Sequence, residues 1–266
     1  MNKYTQAARL RPLLALLLCL LFIQSCASTP YTNRRQFIIM SSSQELQLGE
    51  QAADEVVKSE KIEKGTANAA RVERIGKRIA AVADRPDFKW EFHTITKDEL
   101  NAFCLPGGKV FVYTGMLKLV GNSDDELAAV IGHEVAHAIA RHSAERASQS
   151  MAAQLGVTAI SIGVAVKSDS AGAGAVAATA GTALAQLGVL LPYNRMQESE
   201  SDHIGVILSA KAGYNPRAAI NLWRKMGEAS GGQNPPAMLS THPLNEQRIR
   251  DLEKVMPEAM QYYQKK

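Results

Sequence analysis

The chain has 266 residues, 46% of them hydrophobic and 21% charged, which excludes a disordered or low-complexity polypeptide and fits one large folded domain. Its formal charge of +4 arises mostly in the first 25 residues, which hold Lys3, Arg9 and Arg11 and no acidic side chain. The remainder is nearly neutral, so the pI of 8.9 supports no nucleic-acid partner.

The first element is a targeting segment. The basic residues precede an apolar run from Leu13 to Ile23, followed by Ile23-Gln24-Ser25-Cys26. This resembles a bacterial lipobox, so residues 1–25 are expected to be a lipoprotein signal peptide and Cys26 the lipidated residue; an ordinary export signal is the alternative. Ala27, in place of an aspartate, favours the outer membrane. Cys19 would leave with the signal and Cys26 would carry lipid, so Cys104 would be left without a disulfide partner. Its apolar setting, Asn101 to Gly108, suits a packed strand thiol better than a nucleophile.

Residues 26–43 read as a lipidated tether, with Ser28, Thr29, Pro30 and Asn33 as turn formers, and 44–260 as the folded domain. Helices are expected over Ser43–Lys58 and Asn68–Ala83, the second with Val72, Ile75, Ile79 and Val82 at helical spacing. The period then changes. Lys89–Ile95 alternates as a strand, and Asn101–Leu105 and Lys109–Thr114 flank a Pro106-Gly107-Gly108 turn as two more. His93 has no companion at ligand spacing and reads as structural.

The informative stretch is Asp124–Arg146, expected as one helix. Ser123, Asp124 or Asp125 can cap it, and Arg141 and Arg146 would sit toward its C-terminal end. It contains His133-Glu134-Val135-Ala136-His137. Histidines four residues apart share a helical face and can grip one ion, while Glu134 can reach a water on that ion as a base. Burying both imidazoles in an apolar helix without a partner would be costly, which weighs against a structural role.

Met151–Leu191 is rich in small and apolar residues. It suggests a helical hairpin or lid packed near the site, with a membrane-inserting hairpin as the alternative. A further helix carries Glu198 and Asp202 on one face, and one of these carboxylates can bind metal while the other orients a ligand histidine. Glu200 points elsewhere and is the weaker candidate. Arg217–Glu228 and Leu244–Val255 are the last helices, joined by a Gly- and Pro-rich loop over 229–241.

Together, HEVAH at 133–137, ESESD at 198–202, NAFCLPGGKVFVYTG at 101–115 and STHPLNEQR at 240–248 resemble the gluzincin metallopeptidases, the family of the CAAX prenyl protease, HtpX and the periplasmic BepA and LoiP proteases. The resemblance is to the short lipoprotein members. It implies a mostly helical α+β zincin domain with a small sheet beside the H-E-x-x-H helix. It also implies one Zn2+ per chain held by His133, His137 and Glu198, with Glu134 as base and Asp202 behind the ligands. His242 matches a loop histidine that approaches the metal, Arg248 a residue that assists the oxyanion, and Asn101, Ala102 and Phe103 an edge strand for extended substrate. The implied function is endoproteolysis of misfolded or unassembled polypeptides, including outer-membrane proteins, in the periplasm; the alternative is an assembly factor or chaperone with a self-inhibited zinc site.

Overall fold

A computed structural model describes residues 26–186, 190–229, 238, 242 and 246–263. The expected signal peptide and most of the 229–241 loop lie outside the described residues.

The tether is more ordered than its composition suggests. β1 (Cys26–Ser28) and β2 (Arg35–Phe37) form an antiparallel hairpin. Side chains from the loop and second strand hold it to the body, since Gln36 donates to the Ala140 carbonyl at 2.6 Å and Arg34 grips Glu145 at 2.7 and 2.8 Å. Turn residues look like a linker in sequence because nothing local records those distant partners. α1 (Ser42–Ser59) follows, opened by a capping box in which Ser41 and Gln44 satisfy each other's backbone N–H groups. β3 (Ile62–Glu63) leads into α2 (Ala67–Ala80), which buries Val72, Ile75 and Ile79 as its spacing predicts and stops three residues earlier than expected.

The sheet has the order β3-β4-β6-β5, where β4 is Glu91–Ile95, β5 Ala102–Leu105 and β6 Lys109–Tyr113. β4 and β6 are parallel and β5 and β6 antiparallel. β6 is buried on both faces. Val110 and Val112 join the main core, whereas Phe111 and Tyr113 pack with Ala53 and Ile95 beneath α1. Lys109 is buried in the same strand because Glu91 accepts from its ammonium at 2.5 Å. β5 is therefore an edge strand of this sheet.

α3 (Thr114–Val120) delivers the chain to α4 (Asp124–Ile139). Ser123 caps α4 by accepting from the Glu126 N–H at 3.2 Å. Every residue from Glu126 to Ile139 is buried, so α4 is the central rod of the core. It does not continue to Arg146. Arg141 adopts a left-handed conformation with φ 55°, held by its ion pair to Glu45 at 2.6 Å, and α5 (His142–Ser168) starts anew beyond it. α6 (Ala171–Ala185) returns alongside α5, giving the expected helical hairpin.

α7 (Leu191–Lys211) crosses α4 at unusually close range. A Cβ on Gly132 would sit 2.8 Å from the Gly205 carbonyl oxygen, and one on Gly205 2.9 Å from the His133 nitrogen. Only paired glycines allow that approach. α8 (Ala218–Ala229) and α9 (Glu246–Tyr263) close the core around Trp223, Met226 and Leu252.

Candidate metal centre

α4 presents His133 and His137 one turn apart, and the glycine crossing lets α7 bring Glu198 to them. Glu198 Oε1 lies 3.3 Å from His137 Nε2, and Oε2 lies 3.4 Å from His133 Nε2. The two Nε2 atoms face each other at 3.1 Å. His242, just before α9, adds Nδ1 at 3.3 Å from His133 Nε2 and 2.9 Å from Glu198 Oε2. One donor atom from each of these four buried residues lies within 4.8 Å of every other.

These residues fit a divalent cation. Donors bound tetrahedrally at about 2.0–2.1 Å are themselves about 3.3 Å apart, close to the separations seen here. Two imidazole nitrogens converging on one carboxylate form the nitrogen and oxygen donor set that suits zinc. The field points the same way. Burial holds the His137 imidazole well below its ordinary pKa, so it stays neutral with its lone pair available. Burial would also lower His133, but Asp202 and Glu198 reverse this and raise it to about 9, a sign that the pocket favours positive charge. Burial opposes ionisation of Glu198, yet the surrounding imidazoles keep its carboxyl well below the usual range.

Behind the donors lies a second layer. His133 Nδ1 is 3.0 Å from Asp202 Oδ1, off the line of a straight hydrogen bond. Arg248 clamps Asp202 with Nε at 2.7 Å and Nη2 at 2.8 Å, places Nη1 3.2 Å from Glu198, and stacks 3.9 Å over the Trp223 ring. Thus Arg248 faces both carboxylates, Glu198 and Asp202. His137 is backed by His142, Nδ1 to Nδ1 at 2.9 Å, and His142 Nε2 meets Glu200 at 3.0 Å. Glu200 also accepts from Thr29 and Arg34 at 2.7 and 2.8 Å and from Thr32. Glu200 thus stays outside the donor cluster, as its helical face predicts. Nothing local in the sequence marks His142, Arg34 or Glu145 as part of this layer. The available signal was a third histidine five positions past His137, uninterpretable without the helix break.

Glu134 is buried beside the cluster, and among the described residues its Oε1 has no hydrogen-bond partner, with His242 Nε2 at 3.7 Å. Burial raises its carboxyl pKa. It opens onto a cleft of about 510 Å3 lined by Asn101 to Leu105 of the edge strand region, together with His137, Ser143, Arg146, Asn194 and His242. Cys104 lines the same cleft, its thiol pushed up by burial. Among the described residues, α5 lines this cleft only through Ser143 and Arg146, and none of residues 151–185 does, so those residues form the expected hairpin without covering the cleft as a lid. His93 lies apart, stacked on Phe111 and bonded to Glu91.

Residues 66–256 match the model of Peptidase family M48. The chain is 38% identical over 234 residues to the mitochondrial metalloendopeptidase OMA1 of Schizosaccharomyces pombe, covering 86% of this chain and 66% of that one. It is 28% identical over 235 residues to the beta-barrel assembly-enhancing protease of Escherichia coli, covering 86% and 47%. It is 33% identical over 176 residues to human mitochondrial metalloendopeptidase OMA1, covering 64% and 33%. Across these three the chain spans from one third to two thirds of the relative's length.

Proposed function

The chain belongs to peptidase family M48, and from that premise we propose that it is a zinc-dependent endopeptidase of the bacterial cell envelope acting on misfolded or unassembled polypeptides. The observation that carries the reading is the four-donor cluster with Glu134 beside it, its Oε1 without a hydrogen-bond partner among the described residues. His133, His137 and Glu198 hold the ion, Asp202 and Arg248 hold His133 and Glu198 in place, and Glu134 is the base. Zinc bound there would acidify a water and polarise a scissile carbonyl.

An extended peptide lies along β5, using the main chain of Asn101, Ala102 and Phe103 as a sheet edge. Glu134 takes the proton of the attacking water and passes it to the leaving amine nitrogen. Its raised pKa suits both halves of that exchange. The His242 imidazole N–H can donate to the developing oxyanion, with Arg248 adding positive charge behind it. Domain limits of 1–25 for a signal peptide, 26–43 for a lipidated segment and 44–260 for the peptidase domain complete the reading. Anchorage through Cys26 would keep the enzyme at the periplasmic face of the outer membrane. The name of the E. coli relative refers to beta-barrel assembly, which supports beta-barrel proteins as clients, whereas the OMA1 names refer to mitochondria.

Glu134→Gln tests the assignment. The variant should retain zinc in an elemental measurement and lose casein cleavage by roughly 10²-fold or more. Cleavage at the wild-type rate, or wild-type activity insensitive to chelator, removes the mechanism.

A second reading rests on His242. Its Nδ1 stands within the donor set itself, which is the place a fourth ligand would take in a resting, self-blocked enzyme. In that case the chain acts mainly as an assembly factor and cuts only when the His242 segment withdraws. His242→Ala separates the two: higher casein cleavage favours the block, and lower cleavage favours oxyanion assistance.

A further inference from the structure

Beyond the catalytic reading, and independent of it, the geometry points to a lipid bilayer as the partner of the α5–α6 hairpin. The 20 residues 147–166 carry no charged side chain. Ser148 and Gln149 are buried at the root, and from residue 150 onward the rest rises about 25 Å at 1.5 Å per residue, most of a bilayer's hydrocarbon core of about 30 Å. The charges met next, Lys167 and Asp169, sit at the hairpin's tip, and none follows until Arg195.

The apolar residues are not hidden. Leu155, Ile162, Val166, Val176 and Leu184 are 59–77% exposed. Ile160, two residues from Ile162 and so on the opposite side of α5, is 61% exposed as well. Apart from Ser150, Gln154 and Thr158, the exposed side chains of α5 over residues 150–166 are apolar and lie on opposite sides, and such a helix offers no single seam for a protein partner. Lipid is the surrounding that meets every side at once.

Five hydroxyls of the hairpin are arranged for the same medium, while the exposed Gln154 amide reaches only Thr158 Oγ1 at 3.5 Å. Thr158, Ser161 and Ser168 on α5 and Thr179 and Thr182 on α6 all donate to carbonyls of their own helix, at 2.6–3.1 Å. That internal closure is what a water-free surrounding demands. The two arms touch through small residues. A Cβ on Gly174 would lie 2.8 Å from the Ala165 Cβ and 2.9 Å from the Ser161 carbonyl oxygen, and one on Gly181 3.3 Å from Val157. Backbone-close contact through glycine is how helices associate where the hydrophobic effect supplies no drive. The root lies against the N-terminal strap, where Ile39 N donates to Ser148 at 3.1 Å. Insertion at this end would seat the body, cleft included, against the membrane surface.

The test uses the full chain reconstituted in phosphatidylcholine vesicles whose acyl chains are brominated either mid-chain or near the headgroup. Ile162→Trp and Val176→Trp add fluorophores on exposed hairpin positions, and the wild type, with Trp90 and Trp223 in the folded body, is the reference. Melting temperatures equal to wild type establish that the variants fold. We expect blue-shifted emission from the added tryptophans and stronger quenching by mid-chain bromine, with the wild-type emission unaffected. Two results overturn the inference: added tryptophans that bromine does not quench, or emission already blue-shifted without vesicles in a concentration-dependent dimer, which would make a second copy the occupant.

Discussion

A metal ligand is only as well placed as the group behind it, and in the proposed zinc site His137 leans on His142, which leans on Glu200, which is held by Arg34 from the other end of the chain. Losing such an outer partner ordinarily weakens metal binding by roughly 10–100-fold. His142→Ala should therefore weaken zinc affinity by about that factor, read by competition with a chromophoric chelator, while leaving a casein-cleaving enzyme at saturating zinc. An affinity equal to wild type would show that packing alone orients His137. This residue marks the limit of what a sequence discloses. His133, Glu134 and His137 are legible because they lie within one helical turn, and Glu198 with Asp202 for the same local reason. His142 is not, because its approach depends on a break at Arg141, and that break depends on Glu45, 96 positions away.

At the scale of elements, the site exists because two helices cross at contact distance. Gly132 and Gly205 let backbones approach until a single added Cβ would meet a carbonyl oxygen or an amide nitrogen of the other helix. At Gly205 every atom that an added Cβ would meet belongs to the backbone of α4 and cannot give way, whereas Gly132 also faces the Ser209 hydroxyl at 2.7 Å. Gly205→Ala should therefore force α7 outward, at a cost of about 1–3 kcal/mol for overpacking, and draw Glu198 away from the imidazoles. The measurements are a denaturant midpoint and a zinc titration, and both should fall together. Unchanged zinc affinity in a destabilised variant would mean that Glu198 is placed by its own contacts instead. The alternating strands and the amphipathic α2 follow the pattern of their residues, since burial on one face imposes period. Which glycines mark a crossing could not be read locally, because Gly132, Gly156 and Gly205 look alike in sequence, and Gly156 has nothing near it.

For the molecule as a whole, the N-terminal strap is a clasp across the site's outer layer. Arg34 joins Glu145 on α5 to Glu200 on α7, with both carboxylates nearly inaccessible. Burial alone would raise the Glu200 carboxyl, but bonds from His142, Arg34, Thr32 and Thr29 prevail and lower its pKa to about 2. Linkage then fixes the sign. A carboxylate with a depressed folded-state pKa contributes stability that is complete above its unfolded value of 4.5 and is lost as pH falls toward about 2. In chelator, so that zinc loss does not intervene, the wild-type unfolding midpoint should drop more steeply than that of Glu200→Gln between pH 4.5 and 3. The glutamine has no proton to take up in that window, so its midpoint should converge on the wild type from below as acid is added. Parallel slopes for the two chains would mean that the clasp is neutralised in the unfolded chain to the same extent, and that the strap is held by its hairpin and Gln36 rather than by Arg34. Convergence would place the ionic clasp among the forces tying residues 29–36 to α5 and α7, and so link the segment nearest the proposed lipid anchor to the histidine that His142 supports.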